Sequence, residues 1–397
     1  MKSSLPLSGI RVLDLTRILS GPFCTMKLAD MGADVVKIEQ PGRGDDSRGW
    51  GPPFVHGESA YFLSVNRNKR SLTLNLKSAQ GKRVLQELIG LCDVLVENFR
   101  AGVMKSLGFG YRDVRRMNPR MIYCSISGYG QKSSKSHKPT YDLIIQGESG
   151  LMDVTGFSKG PPLKAGISLA DVTAGMLAFE GILLALIDRE WTEKGRHVDI
   201  SLLDGLLSLF AYQAQIALST NDTVSRKGNR HPTITPYETF AAKDGYLNVA
   251  VGSESAWKSF CSAAGRKELA SDPRFRTNAE RVKHRAALER ILVPLMKSRK
   301  VAEWIRRLER ADVPAGRINS IRDALRLTVL RERKMLSTIP RAAGGALRMV
   351  GSPFSAAGWR SGADSPPPRL GQHTREILVD LGYTVSQIET FGRKGIV

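Results

Sequence analysis

The chain has 397 residues, 42% of them hydrophobic and 24% charged, and 59 Lys+Arg against 38 Asp+Glu give a formal net charge of +21. The normal apolar content excludes general disorder, and 38 Gly without a period and 4 scattered Cys exclude collagen-like and disulfide-scaffold classes. The basic excess favours phosphate-rich partners; it is spread over clusters such as Arg67/Lys69/Arg70, Arg112/Arg115/Arg116 and Lys132/Lys135/Lys138.

Met1 to Ser8 carries one Lys and no apolar run, so no secretory signal is expected. Ile10 to Thr16 is a short β-rich run. A helical pattern from Cys24 to Met31 stops at Gly32, and Ala33 to Glu39 reads as a second strand. Ser71 to Leu76 alternates as a half-buried strand should. Gln80 to Cys92 is an amphipathic helix, and strands follow at Asp93 to Val96 and Met121 to Ser127. Alternating strands and helices predict an α/β fold, a Rossmann-like parallel sheet with helices on both faces.

Gly128 to Thr140 is a long Gly-, Ser- and Lys-rich loop, the kind that is functional or disordered. Helical sequence runs from Tyr141 to Met152, and Gly160-Pro161-Pro162 is a turn. Asp171 to Arg189 predicts one long helix. Its most apolar part, Ala174 to Ile187, contains Glu180 and falls short of the about 20 residues a membrane span needs, so a buried helix and no membrane are expected. A strand at His197 to Ser201 and a helix at Leu202 to Leu218 come next. Asn221 to Arg230 is a linker candidate. Phe240 to Val251 reads as a hairpin turning at Asp244-Gly245, and charged helices lie between Arg281 and Ala311. A smaller α+β domain is therefore expected over about 225–330. The tail carries a strand from about 347, then Pro366-Pro367-Pro368 and a helix from Thr374 to Leu381.

The thiols Cys24, Cys92, Cys124 and Cys261 form no CxxC pair and suit a reducing cytoplasm. The six His show no HxxxH or HExxH spacing, so no metal site is expected. Gly108-Phe-Gly110 and Gly128-Tyr-Gly130 begin a GxGxxG, but Asp113 and Ser133 occupy the third positions. P-loop and GxSxG signatures are absent, as is the basic-and-aromatic interleaving of a nucleic-acid binder. Two carboxylates stand out. Asp171, in Ile167-Ser-Leu-Ala-Asp-Val-Thr-Ala-Gly175, opens the long helix and is either its cap or a nucleophile that could attack an activated acyl carbon. Asp142, behind the Lys-rich loop, carries the same two readings.

Eight segments in order give the chain a resemblance: DLTRILSGPF (14–23), GADVVKIEQPGRGDD (32–46), SVNRNKRSLTLNLK (64–77), VENFRAG (96–102), NPRMIYCSISGYG (118–130), YDLIIQGESGLMDVTG (141–156), ADVTAG (170–175) and KDGYLNVAVGSES (243–254). In these it resembles the class III coenzyme A transferases of the CaiB/BaiF type. The resemblance implies that Asp171 attacks an acyl-CoA thioester and passes through an anhydride and an aspartyl-CoA thioester. It implies Asp142 as the acidic group after Tyr141, and Gly252 in a loop, 252–254, that covers the intermediates. Arg17, Ser20, Leu74, Lys77, Asn98, Phe99 and Arg100 would line the CoA site; Lys105 and Lys138 are added on charge. CoA enters as substrate, with no tightly bound cofactor.

Racemase members place His where Tyr141 stands, and formyl-CoA transferases place Gln where Leu19 stands. Segments 44–55, 58–69 and 366–374 look most like succinyl-CoA:glutarate transferases, which act on C4–C5 dicarboxylates. Arg48 is a candidate partner for the distal carboxylate, or an ordinary surface arginine. An acyl-CoA racemase and a formyl-CoA/oxalate transferase are the alternatives. The family further implies an interlocked homodimer, with a large domain formed by 1–220 and a return segment at 331–397, and no nucleic-acid partner.

Overall fold

The computed structural model describes residues 5–221, 224–341, 345–357, 359–362 and 364–397. The chain divides into two compact units. One comprises Met1–Leu151, Ala165–Thr220 and Val329–Val397; the other comprises Met152–Lys164 and Asn221–Thr328. Residues 222 and 223 of the expected linker lie outside the described residues.

The first unit is built on six parallel strands: β1 (Arg11–Asp14), β2 (Asp34–Glu39), β3 (Lys69–Thr73), β4 (Val94–Glu97), β5 (Ile122–Ser127) and β6 (His197–Ser201). Their order is β3-β2-β1-β4-β5-β6. Side chains alternate across the sheet, as the period of two requires. Val12, Val94, Val96, Ile122 and Cys124 meet helices α1 (Ser20–Asp30) and α6 (Leu169–Thr192) on one face. Leu13, Leu95 and Tyr123 meet α2 (Ala79–Leu91) and the C-terminal helices Thr374–Asp380 and Val385–Arg393 on the other. Between them in sequence lie α3 (Val103–Leu107), α4 (Tyr111–Met117) and α5 (Asp142–Glu148); α7 (Leu202–Ser208) follows β6.

The third strand pairs two residues earlier than its alternation predicts. Lys69 pairs with Val35 in the ladder, and its ammonium is drawn inward to Asp14 and Asn66 at 2.9 Å each. The helix expected over 141–152 breaks at Gly150, whose φ of +88° is a left-handed conformation that favours glycine. The helix expected over 202–218 is two, Leu202–Ser208 and Tyr212–Ser219, bent by 87°. The break is at Ala211, at φ 42°, and no Gly or Pro there signals it. By length and mean hydropathy (1.8) α6 is apolar enough to cross a membrane. Its Ala170, Ala174, Ala178 and Ile182 are nevertheless buried in the core, while Met176, Leu184, Ile187 and Trp191 are exposed.

In the second unit β7 (Tyr237–Ala242) and β8 (Gly245–Ala250) form the expected hairpin, and Ala315–Arg317 pairs antiparallel to β8. Asp244 of the turn also accepts from Val301 N at 2.7 Å, capping the helix Val301–Arg310. Phe240, Leu247, Trp257, Phe260 and Trp304 fill this core.

Candidate active site

The chain leaves β1 toward β2 and β3, then returns to place β4 on the other side of β1. Connections diverge at that point, so a crevice opens beyond the carboxyl ends of β1 and β4. The Asn98 amide joins the two ends. Arg17 N donates to its Oδ1 at 2.9 Å, and its Nδ2 donates to Arg17 O at 2.8 Å. The same Nδ2 lies 3.4 Å from Ser20 Oγ, at the start of α1. From beneath, the buried Lys37 ammonium donates to Thr16 O at 2.8 Å and pairs with Asp45 at 2.9 Å. Asp45 accepts from Ile18 N, which holds Ile18 at φ 72°. The loop carrying Arg17 is thus held both across the crevice and from below.

Helix α6 brings a carboxylate to the same place. Its N-cap is Ser168, and Asp171 is its third residue. One turn later stands Gly175, where a Cβ would lie 2.5 Å from Ser20 O. Gly21 is equally constrained, a Cβ there falling 2.2 Å from Thr16 Cβ. Gly175 therefore lets α6 approach α1 closely enough for the Ser20 hydroxyl to donate to Asp171, while Gly21 lets the start of α1 pack on Thr16. Burial first, and then the charge of Asp142, push the Asp171 carboxyl up to about 7; the Ser20 bond opposes them. Tyr61 stands nearby: burial, then the fields of Asp171 and Asp142, push its hydroxyl up to about 12.

The two carboxylates differ sharply. Asp142 Oδ1 accepts from Ala170 N at 2.8 Å and Oδ2 from Gln146 Nε2 at 2.7 Å. Asp142 therefore caps α6 from α5, satisfying one of the free N–H groups of the first turn. Asp171, not the cap of its helix, has the Ser20 hydroxyl.

Of the residues expected at the CoA site, Arg17, Leu74, Lys77 and Phe99 line one cavity of about 250 Å³. Arg17, Asn98, Phe99, Arg100 and Lys138 line a second of about 210 Å³, so Arg17 and Phe99 belong to both. The Arg17 guanidinium sits 5.1 Å over the Phe99 ring. Ser20 joins through Asn98. Lys138 is paired with Glu148, as is Lys135 at 3.3 Å, which ties the polar loop to α5. Lys105 is not brought to either cavity; it lines a separate one. Gly252 lies in the second unit, where a Cβ would meet nothing within 4 Å. At the end of its loop, Glu254 is anchored by Asn278 N and Arg281, both at 2.7 Å. Arg48 is neither a free specificity group nor a surface residue. Glu39 takes both arms of its guanidinium at 2.7 Å, and it stacks 3.7 Å over Phe62.

Residue-level reading missed Ser127 and Gln40, on the walls of the 210 and 250 Å³ cavities respectively. Ser127 Oγ is buried with no hydrogen-bond partner among the described residues. Their positions, at the end of β5 and just after β2, were the available signal, because ligands gather at the carboxyl ends of such strands. Among the described residues no three His, Cys, Asp or Glu side chains cluster as metal ligands.

The strand order, the crevice and its cationic walls define an α/β protein that presents a carboxylate beside a cleft lined by Arg17, Lys77, Arg100 and Lys138. The chain belongs to CoA-transferase family III, whose model matches residues 7–374, and it is a CoA-transferase. It is 39% identical over 396 residues to a succinyl-CoA:glutarate CoA-transferase of Mus musculus, covering 100% of this chain and 91% of that one. It is 40% identical over 367 residues to an acetyl-CoA:oxalate CoA-transferase of Acetobacter aceti, covering 92% of each. A crystal structure of a CaiB/BaiF family protein from Brucella suis superposes with a TM-score of 0.85 at 37% identity, covering 95% of this chain and 100% of that one.

Proposed function

We propose that the enzyme moves CoA from succinyl-CoA to a C4–C5 dicarboxylate such as glutarate, with Asp171 as the acyl acceptor. The observation that carries this reading is the Asp171 carboxyl itself. It sits at the head of α6, bonded to Ser20 and pushed up to about 7, one side chain away from the Asn98 wall of the cleft. A carboxylate destabilised in this way is the more basic and the better nucleophile.

The ionised Asp171 attacks the thioester carbonyl, the C–S bond breaks, and a mixed anhydride and CoA thiolate form. The thiolate attacks the aspartyl carbonyl, releasing succinate and leaving an aspartyl-CoA thioester. The acceptor carboxylate attacks that thioester, giving a second anhydride and the thiolate. The thiolate then takes the new acyl group and frees Asp171. Each step exchanges one acyl bond for another, so the sequence closes without an external energy source. The anhydrides need shielding from water. Asn98 and Ser20 position the groups around Asp171, and Arg17, Lys77 and Lys138 supply positive charge for the phosphates of CoA.

The dicarboxylate choice is supported by the mouse relative and by a succinate–glutarate CoA-transferase of Agrobacterium fabrum, 37% identical over 387 residues. The Acetobacter aceti relative favours oxalate as a second reading, against which Leu19 stands. Tyr141, where a racemase would carry His, argues against racemisation. The exposed apolar residues Met176, Leu184, Ile187 and Trp191 of α6 support a second copy of the chain as their cover, hence a homodimer. Four buried free thiols support a reducing, cytoplasmic setting.

The test is mass spectrometry of CoA esters after mixing enzyme and succinyl-CoA with glutarate, oxalate, malate, itaconate or carnitine, with Asp171→Ala in parallel. Glutaryl-CoA is expected from the wild type and none from the variant. Undiminished transfer by the variant would refute the mechanism, and product with oxalate alone would refute the acceptor class.

A further inference from the structure

Helix α3 has two lined faces. Val103 and Leu107, one turn apart, face the 250 Å³ cavity of the CoA cleft. Met104 and Lys105 face a different cavity of about 610 Å³. That volume is in the range of small-molecule sites. Its chemistry has two layers. At the floor lies a buried polar chain: Ser125 Oγ is 3.0 Å from His197 Nε2 and also hydrogen-bonds Glu97. Ser125 and Glu97 are only 1% and 3% exposed. The imidazole is stacked on Tyr111, with ring centroids 4.7 Å apart. This is not a nucleophile–base–acid array, because the carboxyl is on the serine and not on the histidine.

The rim is cationic. Arg100, Lys105, Arg112 and Arg116 line it, and among the described residues only Arg116 is ion-paired, to Asp113 at 3.2 Å. Three cations therefore converge on one concavity without carboxylate partners. Gln131, also on the wall, has a buried side-chain N–H with no acceptor among the described residues. The floor carboxyl does not offset this charge in full: burial pushes Glu97 up to about 7, so it is in good part neutral near neutral pH. Uncompensated guanidinium and ammonium groups beside the free Gln131 N–H form the natural complement of a tetrahedral oxyanion.

We propose that this cavity is a second anion site, distinct from the CoA cleft, that binds a phosphate-bearing small molecule. Lys105 and Arg112 would neutralise the phosphate, with Arg116 joining them from its pair with Asp113, and the free Gln131 amide N–H would donate from the wall. Arg100, shared with the CoA cleft, places the two sites on either side of one side chain.

The experiment is calorimetric titration of the full-length enzyme with inorganic pyrophosphate, with and without saturating CoA. Citrate at matched ionic strength is the non-phosphate control. The expected result is one pyrophosphate per chain when CoA saturates its own cleft, bound at least tenfold more weakly by R112Q/R116Q. Both arginines are exposed and outside the catalytic machinery, so the variant is expected to keep its melting temperature and its transfer rate. Absence of binding, binding abolished by CoA, equal affinity in R112Q/R116Q, or citrate binding as tightly as pyrophosphate would each overturn the proposal.

Discussion

The two units bury charge in opposite ways. In the first, Asp14, Lys37, Asp45 and Lys69 are at most 2% exposed, and pair at 2.9 Å as Lys69–Asp14 and Lys37–Asp45. In the second, the core is aromatic and aliphatic, and its most buried charge, Arg281, reaches out to the half-exposed carboxylate of Glu254. Buried ion pairs are poor sources of stability, because desolvation offsets most of their attraction. Their location is what teaches. Through Thr16 O and Ile18 N they hold the loop that carries Arg17 to the crevice. The first unit accepts expensive charge where a fixed polar geometry is needed, and the second has no such burden.

The largest effect that would break this comparison is on Asp14. Burial would raise its carboxyl, but Lys69 and Lys37, with the Thr16 and Thr25 hydroxyls, outweigh it and hold it well below the usual carboxylate range. Asp14→Ala leaves two lysines buried without that partner. A loss of about 3–5 kcal/mol in urea unfolding is expected, the cost of orphaning a buried charge. A loss below about 1 kcal/mol would mean that the network is not load-sharing in the way its burial implies. Asn98→Ala comes next. It removes both stitches between β1 and β4, and about a 10–100-fold fall in kcat/KM is expected, as for a group that only positions others. An unchanged kcat/KM would detach the switch point from catalysis. The control is Glu254→Ala in the second unit. Arg281 keeps Thr235 O at 2.8 Å and Phe275 O at 3.1 Å, so about 1–2 kcal/mol is expected from the loss of the Glu254 bonds to Arg281 and Asn278 N. If this variant cost as much as Asp14→Ala, the contrast between the units would disappear.

Much of this was legible beforehand, for identifiable reasons. Parallel strands buried on both faces read as short apolar runs, and Ile10 to Thr16 and Met121 to Ser127 announced β1 and β5 without ambiguity. The third strand was displaced because Lys69 and Arg70 look like surface residues; their burial depends on Asp14 and Asp34, which are distant in sequence. The kink at Ala211 has no signal, since nothing about alanine asks for a positive φ. At the site, a helix-opening aspartate can be cap or nucleophile, and local sequence cannot choose. What speaks against the cap is a tertiary fact, that Asp142 from another helix already caps α6. Lys105 shows the complementary error. Charge alone assigned it to the CoA site, whereas the turn of α3 points it into the other cavity.

The smallest effect is also the most discriminating. Asp171 is raised to about 7 in the fold, so the folded state holds its proton more tightly than the unfolded chain does. Between the unfolded value near 4 and the folded value, each rise in pH therefore costs the wild type stability; below and above that window it costs nothing more. Asp171→Asn removes the titration and keeps the side chain's shape. Its stability advantage should grow from pH 5 to pH 7 and then level off. After discounting for the solvent that reaches this partly exposed carboxyl, about 1 kcal/mol is expected. Thermal melts of both proteins across that range read the difference directly. The same ionisation should appear as an acid limb near 7 in kcat/KM of the wild type, because in the proposed mechanism only the carboxylate attacks. The two measurements constrain each other. A limb near 7 with a flat stability difference would assign the limb to another group, Glu97 being one raised to the same range. A stability difference without the limb would leave Asp171 strained but idle, and would remove the observation on which its catalytic role rests.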